Sequence, residues 1–318
     1  MPVLLRAIIL SVNVLDVPIL RSLIGALTRT PVLETIQTND GPLEVVRPGG
    51  SGPWPTWVFM NGAHPERRRE PVVQRLTEGL ARAGYLVVVP DPPGLAEEQV
   101  TGATLDGATA AVRAATELSD VRNGRVGLLG ASTGAGLALL VAAEPDLQDR
   151  ISVVAAAVPF ADLERILCLA TTCSYGEAEE VTTFAESELL SRVADRSLRA
   201  MASPEADGAV AALLANRDFV SFPELYARLP EDVRAGVTRL SPLSVAPQVR
   251  APVEIVVPPR DDYFPPGEAI ALAQALPNAR LTVTGTLDHT RPSARLRSLP
   301  GIARFLGFVL RGLRRATD

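Results

Sequence analysis

The sequence predicts an α/β fold in which a mostly parallel sheet is covered by helices on both faces, and three observations predict it. Largely apolar runs at 85–89, 151–158 and 253–257 read as strands buried on both sides. Segments of helical period alternate with them, as crossovers between parallel strands require. A polar, acidic, helix-like stretch at 160–245 breaks the rhythm and is too long for a plain loop in a compact domain.

Each element has its own signal. Residues 1–30 are apolar but interrupted by Arg6, Asp16, Pro18 and Arg21, so no run approaches the ~20 residues of a spanning helix. Leu20, Leu23, Ile24 and Leu27 have helical spacing, with Asp16 placed to cap a helix near Pro18. An amphipathic extension packed on the body is expected there, with peripheral membrane contact as the alternative. Strands at 32–37 and 43–47 flank the turn signal Asn39-Asp40-Gly41. A short strand at 57–60 precedes a helix at 71–83, patterned by Val72, Val73, Leu76, Leu80 and Ala83. The strand at 85–89 ends at Pro90-Asp91-Pro92-Pro93-Gly94, and an alanine-rich helix follows at 104–118. After a strand at 125–129 and a helix at 135–143 comes the strand at 151–158. Beyond the irregular segment lie the strand at 253–257, a helix near 267–275, a strand at 280–284 and a closing helix around 302–311. The expected organisation is an N-terminal helical extension (1–30), a core (31–159 and 246–318) and an inserted helical cap (160–245).

Composition removes several classes of function. The chain has 318 residues, 47% of them hydrophobic, enough for one large core plus an inserted subdomain. Net charge is −5 with no basic block in the body, so nucleic-acid binding has no footprint. No lysine is present, which removes Schiff-base and P-loop chemistry. Two histidines, His64 and His289, are too few for a multi-histidine metal site. Cys168 and Cys173 match neither a zinc nor a C-x-x-C redox spacing and read as two small thiols, a local disulfide being the alternative. Without a clear signal-peptide pattern, a cytoplasmic placement is expected.

The chemistry concentrates at Gly130-Ala131-Ser132-Thr133-Gly134. With Gly and Ser each about 7% of residues, a chain of this length holds about 0.1 such G-x-S-x-G pentapeptides by chance. Here the pentapeptide also falls between a strand and a helix, where a sharp turn lifts the serine hydroxyl out of the sheet. A serine hydroxyl is a weak nucleophile and needs a base, which in turn needs an orienting group. His289 follows the last predicted strand, and His64 follows the strand at 57–60. The strand at 253–257 leads into Pro258-Pro259-Arg260-Asp261-Asp262-Tyr263-Phe264-Pro265. Asp261 is the first choice for the orienting carboxylate and Asp262 the alternative. Turn formation alone would explain one aspartate, but not why the pair falls at a strand end.

The order Ser…Asp…His around a G-x-S-x-G turn resembles the α/β-hydrolase superfamily from about residue 31 to the end. The resemblance implies the α/β-hydrolase fold, a cap inserted after the sixth strand, and a triad of Ser132, Asp261 and His289. Its acid turn, with the aspartate four positions before a proline, favours Asp261. The oxyanion hole would use the backbone N–H of Thr133 and, with Asn61 in the place of the family's usual histidine, that of Ala63. His64 and Asp262 are then pocket candidates. The chain looks most like esterase-type, dienelactone-hydrolase-like members, although Ser132 stands where dienelactone hydrolases proper carry cysteine. It lacks the aspartate nucleophile of epoxide hydrolases and haloalkane dehalogenases, and the H-G-G-G segment of hormone-sensitive-lipase-like esterases.

The implied activity is hydrolysis of a small carboxylic ester through an acyl-enzyme, with no metal or organic cofactor. Amide or peptide cleavage, acyl transfer, and a non-catalytic binding protein on the same fold remain as alternatives. Fold does not determine substrate, and neither substrate identity nor oligomeric state is readable from the chain.

Overall fold

The computed structural model describes residues 1–317 apart from 16, 39–40, 64–65, 67–68, 177–179 and 293–298. Eight strands form one sheet: β1 (Val32–Thr38), β2 (Gly41–Arg47), β3 (Trp54–Met60), β4 (Leu86–Val89), β5 (Val121–Ala131), β6 (Ile151–Ala157), β9 (Val253–Val257) and β10 (Ala279–Val283). Two short pairs, β7 (Ser174–Tyr175) with β8 (Thr182–Thr183) and β11 (Leu287–Asp288) with β12 (Arg291–Pro292), lie outside it. The strand order is β1-β2-β4-β3-β5-β6-β9-β10, antiparallel at β1/β2 and β2/β4 and parallel elsewhere.

Side chains alternate along each strand and feed two cores. Val58 and Met60 of β3 pack on one face with α4 (Gly102–Thr116), α5 (Thr133–Ala142) and α11 (Pro266–Ala275). Trp57 and Phe59 pack on the other with α1 (Val3–Val14), α3 (Pro71–Arg82) and α12 (Leu299–Arg315). All ten residues of α5 are buried, which is why its sequence is apolar all round rather than striped. Glu254 of β9 is fully buried, and Arg311 and Arg315 of α12 reach it at 2.8 and 3.0 Å, fastening the last helix to the sheet.

Three expectations need correction. β5 begins at Val121, four residues before the predicted start at 125. Asn123 and Gly124 both have positive φ (58° and 60°) and kink the strand. Trp54 therefore pairs with Val121 while Thr56 pairs with Val126. The N-terminal extension is two helices, and the one that packs is α1, which buries Ala7, Ile9, Leu10, Asn13 and Val14. The helix whose spacing suggested packing, α2 (Pro18–Leu27), buries no residue. Gly79 decides between them: a Cβ there would lie 2.9 Å from the Asn13 Cβ, so α3 admits α1 at close range. The proposed cap residue Asp16 lies outside the described residues, and the N-cap position of α2 is Val17.

The third correction concerns the segment after β6. It is mostly helical, with α6 (Leu163–Thr172), α7 (Glu188–Met201), α8 (Asp207–Ala215), α9 (Phe222–Ala227) and α10 (Glu231–Arg239), but it also carries the small β7/β8 pair. Its helices share their own core, built on residues such as Phe160, Leu167, Leu198, Leu213, Phe222 and Val233. Cys168 and Cys173 are both free thiols, and burial pushes the Cys168 thiol above its ordinary pKa. Among the described residues, no helix is long and apolar enough to cross a membrane.

Candidate active site

The turn after β5 is built by its two outer glycines. A Cβ on Gly130 would lie 2.3 Å from the Gly134 carbonyl oxygen, and one on Gly134 would lie 2.1 Å from the Met60 carbonyl oxygen. No side chain fits at either place, so strand, turn and helix pack together only with glycine there. Ser132 has φ 54° and ψ −125°, a conformation that L residues rarely adopt. Its N–H donates to the Ala157 carbonyl at 2.9 Å, which ties the turn to β6. Thr133 begins α5 and is buried. The first amides of a helix have no acceptor within it and carry the positive end of its dipole.

The turn after β3 faces the serine. A Cβ on Gly62 would lie 3.4 Å from the Ser132 Cβ, so the 61–63 backbone runs directly beside it. Ala63 is buried. His64 lies outside the described residues.

Of the two aspartates, Asp261 is the one that reaches His289. Its Oδ2 lies 2.8 Å from His289 Nδ1, while Oδ1 accepts the Tyr263 and Phe264 N–H groups at 2.8 Å each. Three contacts on two oxygens hold a buried carboxylate in one orientation. Asp262 is exposed. His289 follows β11 with φ 50°, so Ser132 and His289 both adopt left-handed backbone. The rings of Tyr263 and Phe264 bracket the imidazole, with centroids 4.6 and 5.8 Å away.

Ser132, Thr133, Ala63 and His289 line one cavity of about 70 Å³. α6 and α7 supply the facing wall through residues such as Ile166, Leu167, Leu190 and Val193. Among the described residues, no Asp, Glu or Arg side chain lines it. The polar Ser197 at its edge is already engaged, its Oγ accepting the Val100 N–H at 2.9 Å.

Two buried glutamates, neither foreseen from sequence, hold that wall in place. Glu268 of α11 is fully buried. Its Oε2 accepts the N–H groups of Ala161 and Asp162 at 2.7 and 2.9 Å, and its Oε1 accepts Arg165 Nε and the Tyr175 hydroxyl at 2.7 and 2.8 Å. Burial, with the Glu268 charge beside it, pushes the Tyr175 hydroxyl above its ordinary pKa. Glu98, on the loop after β4, receives Arg192 Nε at 3.0 Å and Arg196 Nη1 at 2.9 Å from α7. Glu268 thus joins α11 to the segment between β6 and α6 and to α6 itself, and Glu98 joins the loop after β4 to α7. For Glu268 the one sequence signal was an acid inside a helical pattern, which ordinarily marks a solvated face, and Glu98 stands in a loop.

The profile of the X-Pro dipeptidyl-peptidase (S15) family matches residues 42–291, a span that contains all three of these turns. The chain belongs to that family. Members of the S15 family are serine hydrolases, and the fold of this S15 chain is the α/β-hydrolase fold. No curated protein matches it by sequence. Among solved structures, 2,6-dihydroxy-pseudo-oxynicotine hydrolase is similar at TM-score 0.56 and 17% identity, over 89% of this chain and 68% of that one. An acylaminoacyl peptidase from Pyrococcus horikoshii is similar at TM-score 0.56 and 16% identity, over 92% of this chain and 43% of its own. A Pyrococcus furiosus esterase is similar at TM-score 0.52 and 16% identity, over 92% and 93% of the two chains. At such identities the likeness concerns the fold. The S15 chain spans well under half the length of the peptidases it resembles, 37% for dipeptidyl peptidase 4 of Porphyromonas gingivalis.

Proposed function

We propose that the protein hydrolyses small neutral carboxylic esters with an apolar acyl group, through Ser132, His289 and Asp261. With Nδ1 of His289 engaged by Asp261, Nε2 is the nitrogen left for the serine. His289 takes the Ser132 proton as Oγ bonds to the ester carbonyl carbon. The carbonyl oxygen becomes an oxyanion facing the N–H groups of Thr133 and Ala63. Collapse of this intermediate breaks the C–O bond to the alcohol, which leaves with the proton from Nε2. Water then attacks the acyl-enzyme, His289 again taking the proton, and the acid departs as Oγ recovers its hydrogen. Asp261 holds the imidazole tautomer and stabilises the imidazolium. Asp261→Asn is expected to lower kcat by roughly 10⁴ by favouring the wrong tautomer. A loss below tenfold in a steady-state assay would remove Asp261 from this role.

The observation that carries the ester reading is that, among the described residues, no Asp, Glu or Arg side chain lines the cavity. A peptidase that takes dipeptides from a free N-terminus must hold a buried ammonium, which requires a carboxylate partner. The likeness to dienelactone-hydrolase-like esterases belongs to the same reading, and the helical segment at 160–245 serves in it as the cap that closes the acyl pocket. A panel of p-nitrophenyl esters set beside Ala-Pro-p-nitroanilide tests it. Each acyl CH₂ buried contributes about 0.8 kcal/mol, roughly fourfold in kcat/KM, until the pocket is full. The best ester is expected to exceed the dipeptide anilide by at least about 100-fold in kcat/KM, and the reverse order would establish peptide cleavage instead.

We also propose that α2 contacts lipid surfaces. Ile19 and Leu27 of α2 are 84% and 76% exposed, with Leu20 and Leu23 beside them, on a helix whose charge is the single Arg21. The protein is expected to float with anionic vesicles, and a variant carrying Ile19→Ser, Leu23→Ser and Leu27→Ser to stay at the bottom of the gradient. Equal behaviour of the two proteins would end this proposal.

A further inference from the structure

The wall that α7 supplies to the cavity at Ser132 is held by a charge cluster outside that cavity. Leu190, Val193, Ser197 and Met201 line the cavity and, at spacings of three and four, share one face of α7. Arg192 and Arg196, about one turn apart on a neighbouring strip, both reach Glu98, and none of these three lines the cavity. Arg192 gives Glu98 two hydrogen bonds, Nε to Oε2 at 3.0 Å and Nη2 to Oε1 at 3.2 Å. Arg196 Nη1 donates to Oε2 and to the Glu97 carbonyl, each at 2.9 Å. The Glu98 side chain is 4% exposed, the two arginines 46% and 45%. The buried partner thus belongs to the loop after β4 and the half-exposed ones to α7. Glu98 has φ 55°, a left-handed conformation that persists where the surroundings over-determine it. Two residues on, the Val100 N–H donates to Ser197 Oγ at 2.9 Å, and Val100 itself lines the cavity. One loop therefore forms part of the wall and grips the helix that forms another part.

We propose that Glu98 is a positioning residue for acyl-chain length: its clasp holds α7 at the distance that limits the pocket to short acyl groups, propionyl and butyryl. This rests on the ester reading above and adds the chain length to it. The cavity holds about 70 Å³. That is about half the roughly 150 Å³ of an apolar cavity that accepts benzene, and so room for about three carbons beyond the reacting carbonyl. A longer chain must displace α7, because packed interiors have few voids and overpacking them is costly. Displacing α7 breaks charge-assisted hydrogen bonds to a buried carboxylate, which are roughly twice as strong as neutral ones. The clasp therefore penalises the longer chain and leaves the shorter one untouched.

p-Nitrophenyl esters from acetate to octanoate, given to the full chain and to its variants, test the clasp, with amide hydrogen exchange over α7 as a readout that needs no turnover. Butyrate is expected to be the best wild-type substrate, with octanoate at least about tenfold poorer in kcat/KM. Glu98→Gln, which keeps the side-chain volume and removes the charge, should raise the octanoate-to-butyrate ratio at least about fivefold. Exchange over α7 should quicken in the same variant. Arg192→Gln combined with Arg196→Gln should shift the ratio in the same direction, and serves where Glu98→Gln fails to fold. All three substitutions together should shift it no further, because they dismantle one cluster. A general loss of stability would lower kcat/KM for both esters alike and leave their ratio unchanged. In a protein that hydrolyses esters, an unshifted ratio, additive shifts or unaltered exchange over α7 would each overturn the clasp alone. A protein that hydrolyses none of the esters would overturn the ester reading and the length limit with it.

Discussion

Ser132→Ala is expected to lower kcat for the preferred ester by on the order of 10⁵–10⁶, the loss seen when a triad nucleophile is removed from a serine hydrolase. Labelling by a fluorophosphonate probe should disappear in the same variant. The fold should persist, because alanine keeps the Cβ that Gly62 packs beside and leaves the Ser132–Ala157 backbone bond in place. Alanine is also the right replacement for the control. Glycine would relax the φ of 54° and change the turn as well as the chemistry. More than a few per cent of residual kcat would remove Ser132 as the nucleophile, and wild-type protein that neither turns over esters nor reacts with the probe would be a binder on a hydrolase fold.

The second large effect is structural. Glu268→Ala is expected to cost about 3 kcal/mol or more of stability, a fall in Tm of roughly 5–10 °C. The substitution strands the Ala161 and Asp162 N–H groups, the Tyr175 hydroxyl and Arg165 at once. Most of the cost falls on the buried amides. Arg165 is 40% exposed, so water recovers part of its loss. Because Ala161 and Asp162 lead into α6, which walls the cavity at Ser132, KM for the best ester should rise as well. Glu268→Gln, which keeps an acceptor oxygen, should lose less. A calorimetric shift below about 1 °C for Glu268→Ala would mean that the junction is held by something else.

The parts of the site that were legible share one property: their requirement is local. Gly130 and Gly134 are needed because neighbouring backbone leaves no room for a Cβ, and that need is written into a five-residue pattern. The strands before Ser132 and Asp261 were readable because burial on both faces demands mostly apolar runs, as in Val253–Val257, where Glu254 is the one polar residue. The choice between Asp261 and Asp262 was less so. The two aspartates share one turn, and only the packing of that turn directs Asp261 inward and leaves Asp262 in solvent.

Other features had no local signature at all. Glu268 and Glu98 look like surface charges in sequence, and each became a buried junction because partners from distant segments converge on it. α1 and α2 are both apolar enough to dock, and the space beside Gly79 admits one of them. Tyr263 and Phe264 follow the acid directly in sequence, yet their place against His289 depends on a histidine 25 or more residues further on. By itself, then, the sequence determined the layered fold, the glycine-flanked turn at Ser132 and the order of the candidate groups, since periodicity and steric exclusion act over a few residues. It also ranked Asp261 ahead of Asp262, while the tertiary structure alone decided which N-terminal helix docks on the sheet and which glutamates are buried, because each depends on groups that meet only once the chain has folded.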